Sequence, residues 1–378
     1  MRKVKKILYI ITQSELGGAQ SYVFDLAKNL KEEYEISVAF GLSRNQRGEP
    51  GDDGELAKSL KGEGIAGFIL PHLKRSISPI NDLLAFFEIK RLIKKLKPDI
   101  IHLNSSKISI LGSLAARSLN PGKSRIIYTA HGWVFNEPMP GIKKAFYLWA
   151  EKFTARFKDK IICVSEFDRQ IALREKVAPA EKLITIYNGI GPINFLPRDE
   201  ARKKLNLRPD SLVIGSIGNL YQTKGYEYFI EAAFSLISKN PQLPLQFVVI
   251  GEGGERKNLE ALINKRHLEK QFILTGRIPD AAQLLKAFDV YLCSSVKEGL
   301  SYTLIEASLA GLPLVATNVG GNPEIIEDIS KHRLVEPKNK NSLADSIVSC
   351  LNNNTEAAYG KNKFSINDFL AKTKNIYQ

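Results

Sequence analysis

Short apolar runs alternate with amphipathic stretches along almost the whole chain. In the first half, residues 7–12, 36–40, 67–70, 100–104, 126–130, 161–164 and 183–187 read as buried strands. Between them, 19–30, 80–96, 108–119, 142–157 and 167–176 carry the period of helices packed on one side. This β-α-β-α rhythm predicts a parallel, doubly wound sheet. It breaks at 188–211, where glycine, proline and charge collect without a strand, and a linker is expected there. A second alternation follows, with strands at 213–217, 246–250, 272–274, 290–294, 314–316 and 333–335. Its helices are expected at 226–238, 256–266, 281–287, 302–310 and 342–351. The expected fold class is therefore α/β, with two Rossmann-like doubly wound domains facing each other across a cleft. Their expected bounds are 1–190 and 191–360, and 361–378 form a C-terminal helix returning to the first domain.

Composition narrows the class. A chain of 378 residues that is 44% hydrophobic and 25% charged is too apolar to be disordered. The longest uncharged stretch, 307–323, is broken by Gly311, Pro313, Gly320 and Gly321, which argues against a membrane-spanning helix. The basic N-terminus runs into only six apolar-rich residues with no cleavage site after them, so it reads as a first strand and not as a leader. Three scattered cysteines, Cys163, Cys293 and Cys350, exclude a disulfide framework or a thiolate zinc site and favour a reducing, cytoplasmic setting. The net charge of +14 is concentrated in residues 1–200, which carry 32 Lys and Arg against 22 Asp and Glu. Such a balance suits an anionic partner as well as mere solubility.

The segment 289–326 carries the most chemistry. A strand leads to Glu298-Gly299-Leu300, and a helix follows from Tyr302, with Ser301 at its N-cap and Gly311 and Pro313 closing it. The N–H groups of residues 300–303, Thr303 included, are expected to form a phosphate seat. Glu306, in the second turn, is placed for the vicinal hydroxyls of a ribose, although a solvated helix acid is the plainer reading. Its neighbours Leu304, Ile305 and Ala307 argue against solvent. Glu298 stands in the loop ahead, where a surface acid is the alternative. A second segment, 215–225, combines Gly218, Asn219, Lys224 and Gly225 between a strand and a helix. Glycines there let the backbone approach a ligand, and Lys224 supplies a charge for a pyrophosphate. The loop 12–20, with Gly17 and Gly18, lacks the G-x-G-x-x-G dinucleotide fingerprint.

These residues resemble the family 4 glycosyltransferases, also called group 1 glycosyl transferases, which are retaining enzymes of the GT-B architecture. The resemblance rests on Glu298-x7-Glu306 within E-G-L-S-x-T-L-I-E-A, followed by G-x-P and G-G-N-P-E, with Gly218…Lys224-Gly225 and Asn188-Gly189-Ile190. It implies that the first domain binds the acceptor and the second a nucleoside-diphosphate sugar. Lys224 would hold the diphosphate, Glu306 the ribose, and Glu298 with the backbone of Gly299, Leu300 and Ser301 the donor sugar and phosphate. His131, in T-A-H-G, would approach the donor sugar from the other side, although a packed histidine beside Trp133 is the alternative. Gly17 and Gly18 would close over the reaction centre, and Ser165 with Glu166 would lie near the cleft. Many members carry Arg where Asn219 stands. The other histidines, His72, His102, His267 and His332, are expected to be structural.

The implied reaction moves a sugar from a nucleoside diphosphate, UDP or GDP, to an acceptor hydroxyl with retention, in cell-envelope polysaccharide synthesis. No Asp-x-Asp motif occurs, so neither a metal nor another cofactor is expected. Two basic amphipathic stretches, 79–98 and 141–160, are either ordinary core helices or docking faces for an anionic membrane. A peripheral association with the inner face of the cytoplasmic membrane and a glycan or lipid-linked acceptor are the corresponding expectations. The rivals are an NAD-dependent oxidoreductase, disfavoured by the missing fingerprint, and a nucleic-acid-binding protein, disfavoured by the lack of aromatic residues interleaved with cations.

Overall fold

A computed structural model describes residues 4–15, 17–42, 54–119, 123–137, 139–326, 333–352 and 363–378. The chain divides into two compact units, one formed by 1–189 with 366–378 and the other by 190–365.

In chain order the first unit holds β1 (Lys6–Ile11), α1 (Gly18–Leu30), β2 (Glu35–Gly41), α2 (Glu55–Gly62), β3 (Ala66–Leu70), α3 (Pro79–Leu96) and β4 (Ile100–Leu103). It continues with α4 (Ser106–Leu119), β5 (Arg125–Ala130), α5 (Gly141–Ala155), β6 (Lys160–Cys163), α6 (Glu166–Arg174) and β7 (Leu183–Thr185). Among the described residues its seven strands are all parallel, in the order β3-β2-β1-β4-β5-β6-β7. Runs such as Ile7 to Ile11 and Ile100 to Leu103 are buried throughout, because helices cover both faces of the sheet.

The second unit holds α7 (Arg198–Lys204), β8 (Leu212–Ile217), α8 (Tyr226–Lys239), β9 (Leu245–Ile250), α9 (Arg256–Lys265), β10 (Phe272–Gly276) and β11 (Val290–Cys293). Then come α10 (Tyr302–Leu309), β12 (Leu314–Thr317), α11 (Asn322–Ile326), β13 (Arg333–Val335) and α12 (Lys340–Asn352). Its sheet is also parallel, in the order β10-β9-β8-β11-β12-β13. A core of Phe229, Phe247 and Phe272 joins α8 to β9 and β10. The last helix, α13 (Ile366–Tyr377), belongs to the first unit and buries Phe369, Ile376 and Tyr377 there.

The alternating rhythm read from the sequence is present in both units, with three corrections. The stretch 188–211 is not a linker throughout: the units meet at Gly189 and Ile190, and α7 is part of the second unit. Arg202, buried on that helix, donates from Nε to the Ala287 carbonyl at 3.1 Å and from Nη2 to Asp289 Oδ2 at 2.8 Å. Its R-D-E-A-R-K-K sequence reads as a charge run because only Ala201 and the Arg202 stem face inward. Helices α2 and α11 are additional, and the stretch 281–287 is a 3-10 helix. The expected boundary at 360/361 and His332 lie outside the described residues.

Candidate active site

In an open parallel sheet, ligands bind outside the C-terminal strand ends where the strand order reverses. The second unit reverses between β8 and β11, and the loops leaving those two strands carry the residues expected to hold a donor. After β8 the chain passes Gly218 and Asn219, makes a 3-10 turn over Gln222–Lys224, and opens α8 at Gly225. Gly225 sits at φ +61°, and a Cβ there would also meet the Ser294 carbonyl oxygen, so the turn requires glycine. The turn aims Lys224 at the loop after β11. Its Nζ lies 2.6 Å from Glu298 Oε1, and Ser295 Oγ donates to the same oxygen at 2.6 Å.

Further hydrogen bonds join the two loops: Ser294 Oγ to the Lys224 carbonyl at 2.9 Å, and Val296 N–H to the Thr223 carbonyl at 2.8 Å. Burial alone would depress the Lys224 ammonium, but the adjacent Glu298 carboxylate outweighs it and the pKa is raised. Lys224 is therefore a fixed cation. Gly218 leaves room beside it, since a Cβ there would come within 2.8 Å of the Tyr226 hydroxyl and 3.6 Å of Lys224 Cε. Asn219 is half-buried at the end of β8, and its carbonyl accepts from Tyr221 N–H at 2.8 Å.

Ser301 caps α10 as its position in the sequence suggests, accepting the Leu304 N–H at 3.4 Å. Thr303 Oγ1 stands 3.4 Å from the Ser301 hydroxyl. The Leu300 side chain is buried, so only its backbone is offered to a ligand. Glu306, five residues past the cap, is half-buried among apolar neighbours, and desolvation pushes its carboxyl up to about 7.

The G-G-N-P motif supports this arrangement from below, a role its sequence alone does not reveal. Gly320 adopts φ +56°, where a Cβ would meet the Glu298 carbonyl oxygen, and Gly321 N–H donates to the Gly299 carbonyl at 2.7 Å. Asn322 Nδ2 donates to the Thr317 carbonyl at 3.1 Å, and Thr317 Oγ1 to the Ser295 carbonyl at 2.5 Å. Nothing in the sequence singles out Ser294, Ser295 and Thr317. Their signal is a pair of hydroxyl residues ending a buried strand, which is too common to be specific.

The first unit reverses between β1 and β4. Gly17 caps α1 in an extended conformation, φ −164°, which any residue adopts, so the backbone there does not demand glycine; Gly18 begins the helix and is exposed. His131 lies just past β5, half-buried, with the Tyr22 ring edge-on at 4.8 Å. Burial drives its pKa down to about 3, so the imidazole is neutral. Its Nε2 is buried and makes no hydrogen bond within the described residues. Ser165, just past β6, is fully buried, and its hydroxyl caps α6 by accepting Asp168 N–H at 3.1 Å and donating to Asp168 Oδ2 at 2.9 Å. Glu166 bonds to Arg169, Gln170 and Thr185. Among the described residues, no three His, Cys, Asp or Glu side chains converge as a metal-binding set.

Two Rossmann-like units, the second with Lys224 and the N-terminus of α10 at its sheet reversal, define a doubly wound α/β protein. The family profile for glycosyl transferases group 1 matches residues 197–365, and that for Glycosyltransferase Family 4 matches 16–192. Over 327 residues the chain is 30% identical to the UDP-Gal:alpha-D-GlcNAc-diphosphoundecaprenol alpha-1,3-galactosyltransferase of Escherichia coli, covering 83% of this chain and 84% of that protein. It is 27% identical to the O-antigen biosynthesis glycosyltransferase WbnH of Escherichia coli, covering 86% and 84%. Its fold matches the crystal structure of Anabaena Alr3699/HepE in complex with UDP and glucose, with a TM-score of 0.83 at 20% identity over 99% of each chain. The chain belongs to the group 1 glycosyl transferases of family 4. It is a sugar-nucleotide glycosyltransferase of the GT-B fold, and the oxidoreductase reading falls away.

Proposed function

We propose that this enzyme transfers a hexose from a UDP-hexose to a lipid-diphosphate-linked glycan acceptor, with retention of anomeric configuration, in cell-envelope glycan synthesis. The observation that carries the reading is Lys224 held against Glu298 beside the N-terminus of α10. As the donor's C1–O bond breaks, negative charge grows on the departing diphosphate, and a preorganised cation and helix dipole stabilise that charge more than the ground state. The acceptor oxygen bonds to C1 on the face the phosphate leaves, and its proton passes to the departing phosphate oxygen. This route requires no nucleophile from the protein, and none is assigned. Glu306 would bind the ribose hydroxyls and Glu298 the donor sugar, with Gly218, Gly299 and Ser301 lining the diphosphate. His131, from the first unit, would contact the transferred sugar. The diphosphate charge is met by Lys224 and backbone dipoles, so the reaction is proposed to need no metal.

The acceptor assignment draws on the diphosphoundecaprenol-linked acceptor of the 30% identical relative and on one surface of the first unit. Helices α3 and α5 both pack on α4. Their N-terminal halves leave Ile80, Leu83, Phe87, Ile142, Phe146 and Trp149 exposed, with Lys143 and Lys144 exposed among them. The buried Lys158–Glu151 ion pair, 2.9 Å, anchors the other half of α5. Because each helix follows a strand, these N-termini lie at the same edge of the sheet as His131. An anionic bilayer fits this surface: apolar side chains enter the headgroup layer and cations add about 1 kcal/mol each. Among the described residues no helix is long and apolar enough to cross a membrane.

The deciding experiment is a thermal-shift panel of UDP-, GDP-, ADP- and TDP-sugars on wild type and Glu306→Ala. Ligand at a hundred times its Kd adds about 2.7 kcal/mol. Stabilisation by a UDP-hexose that is lost in the variant supports the donor assignment, and stabilisation only by another base overturns it. Turnover undiminished by EDTA supports metal independence, and loss restored by a divalent ion overturns that part.

A further inference from the structure

Beneath the His131 end of the first unit runs a buried chain of hydroxyls and one imidazole that begins in the C-terminal helix. Tyr9 of β1 and His102 of β4 are register partners on adjacent strands. Tyr377 of α13 reaches both: its hydroxyl is 3.1 Å from the Tyr9 hydroxyl and 2.6 Å from His102 Nδ1. On the other side of the ring, His102 Nε2 lies 2.7 Å from Thr129 Oγ1, which lies 3.0 Å from the Tyr22 hydroxyl on α1. The Tyr22 ring meets His131 edge to face, with centroids 4.8 Å and planes 81° apart, and it meets Phe369 of α13 at 5.0 Å.

Tyr9, Tyr22, His102, Thr129 and Tyr377 are all buried. An apolar core would pack as densely without hydroxyls. A fully partnered polar chain in low dielectric adds directionality and selects one arrangement. Burial lowers the His102 pKa to about 3, so the ring is neutral and offers one donor and one acceptor. Thr129 and His131 are two residues apart at the end of β5, so the hydroxyl that holds Tyr22 and the imidazole that Tyr22 faces stand on one strand end. Tyr22 is thereby fixed from three directions: by Thr129, by Phe369 and by its contact with His131.

We propose that Tyr22 is a positioning residue for His131, and that α13, through Phe369 and the Tyr377–His102–Thr129 chain, holds Tyr22 in place. The proposal rests on the reading above that His131 meets the donor sugar. The C-terminal helix is then part of the transfer geometry of the first unit as well as part of its core.

Two measurements test it. The first compares turnover of UDP-galactose, with a GlcNAc-diphospholipid as acceptor, in Tyr22→Phe and Tyr22→Leu, each made in wild type and in His131→Ala. Melting curves accompany both to confirm folding. Tyr22→Leu is expected to lower kcat roughly 10-fold with donor KM within about two-fold, since small misplacements of a catalytic group cost this much or more. In the His131→Ala background the same change is expected to have almost no further effect. Equal losses in both backgrounds overturn the proposal. So does undiminished turnover in His131→Ala alone, which also removes His131 from the site.

The second measurement needs no substrate. Imidazole nitrogen–proton correlations of the ¹⁵N-histidine protein are recorded for wild type, Tyr22→Phe and Tyr377→Phe. Shifted His131 signals in Tyr377→Phe support the chain. Signals unchanged in both variants overturn it, even if the donor proves to be something other than a UDP-sugar.

Discussion

Lys224 Nζ and Glu298 Oε1 stand 2.6 Å apart, so the cation expected to hold the donor diphosphate already has a carboxylate partner within the fold. A bound diphosphate would share Lys224 with Glu298, which draws the acidic loop toward the donor. Lys224→Ala is expected to lower kcat/KM by about 10²–10³-fold, the scale of losing a preorganised group at developing charge. The same change leaves Glu298, with a side chain only 12% exposed, without its counter-ion and lowers the melting temperature. Combining Lys224→Met with Glu298→Gln should recover part of that stability and none of the activity. A double-mutant cycle on melting that shows no coupling would discount the pair as a stabilising contact.

Glu306 provides a pH dependence whose two parts have opposite signs. Its carboxyl is raised from 4.5 to about 7 in the folded chain. The contribution of this group to stability is therefore full below about 4.5 and declines as pH rises toward 7. Donor affinity is expected to run the other way, because the carboxylate is the form that would accept the ribose hydroxyls in the proposed site. With a pKa near 7, affinity should weaken about 10-fold from pH 8 to pH 6. Titration calorimetry with UDP at the two pH values reads this directly, and Glu306→Gln should abolish most of the difference. An equal pH slope in the variant would assign the effect to another group.

Gly320 tests the support under the acidic loop. Alanine there would need φ +56° and would press its Cβ on the Glu298 carbonyl oxygen. Gly320→Ala is expected to cost about 1–3 kcal/mol in unfolding free energy and to weaken donor binding. Gly311 also has positive φ, but a Cβ there would meet nothing within 4 Å. Gly311→Ala should therefore cost stability with little change in donor binding, which separates backbone strain from displacement of the site.

The exposed apolar surface on α3 and α5 predicts a lipid dependence. Cosedimentation with vesicles containing phosphatidylglycerol should fall several-fold in Phe146→Glu/Trp149→Glu, and more salt should weaken binding of the wild type. Turnover of a soluble acceptor analogue should be unaffected. Wild-type protein that stays in the supernatant at low salt overturns the membrane assignment.

Most of the architecture is legible in the sequence because a strand covered on both faces reads as an apolar run, as 7–11 and 247–250 do. The Ser301 cap of α10 is legible too, and the loops after β8 and β11, both singled out in the sequence, meet through Lys224 and Glu298. What escapes is whatever depends on distant pairing. Helix α7 carries one buried arginine among surface charges, and the Ala287 carbonyl and Asp289 carboxylate, 85 and 87 residues on, tie it into the second unit. One partner of His102, Tyr377, lies 275 residues away, so the sequence around this histidine gives no hint of the chain it belongs to.

The return of α13 to the first unit also bears on how the chain is made. A ribosome synthesises residues 366–377 only after all of the second unit, so during translation the first unit waits with an open slot over Tyr9, Tyr22 and His102. The second unit is continuous in sequence and can close without delay. Completion of the first unit then waits for the last residues of the helix, which bring Phe369 to Tyr22 and Tyr377 to Tyr9 and His102 in the same step.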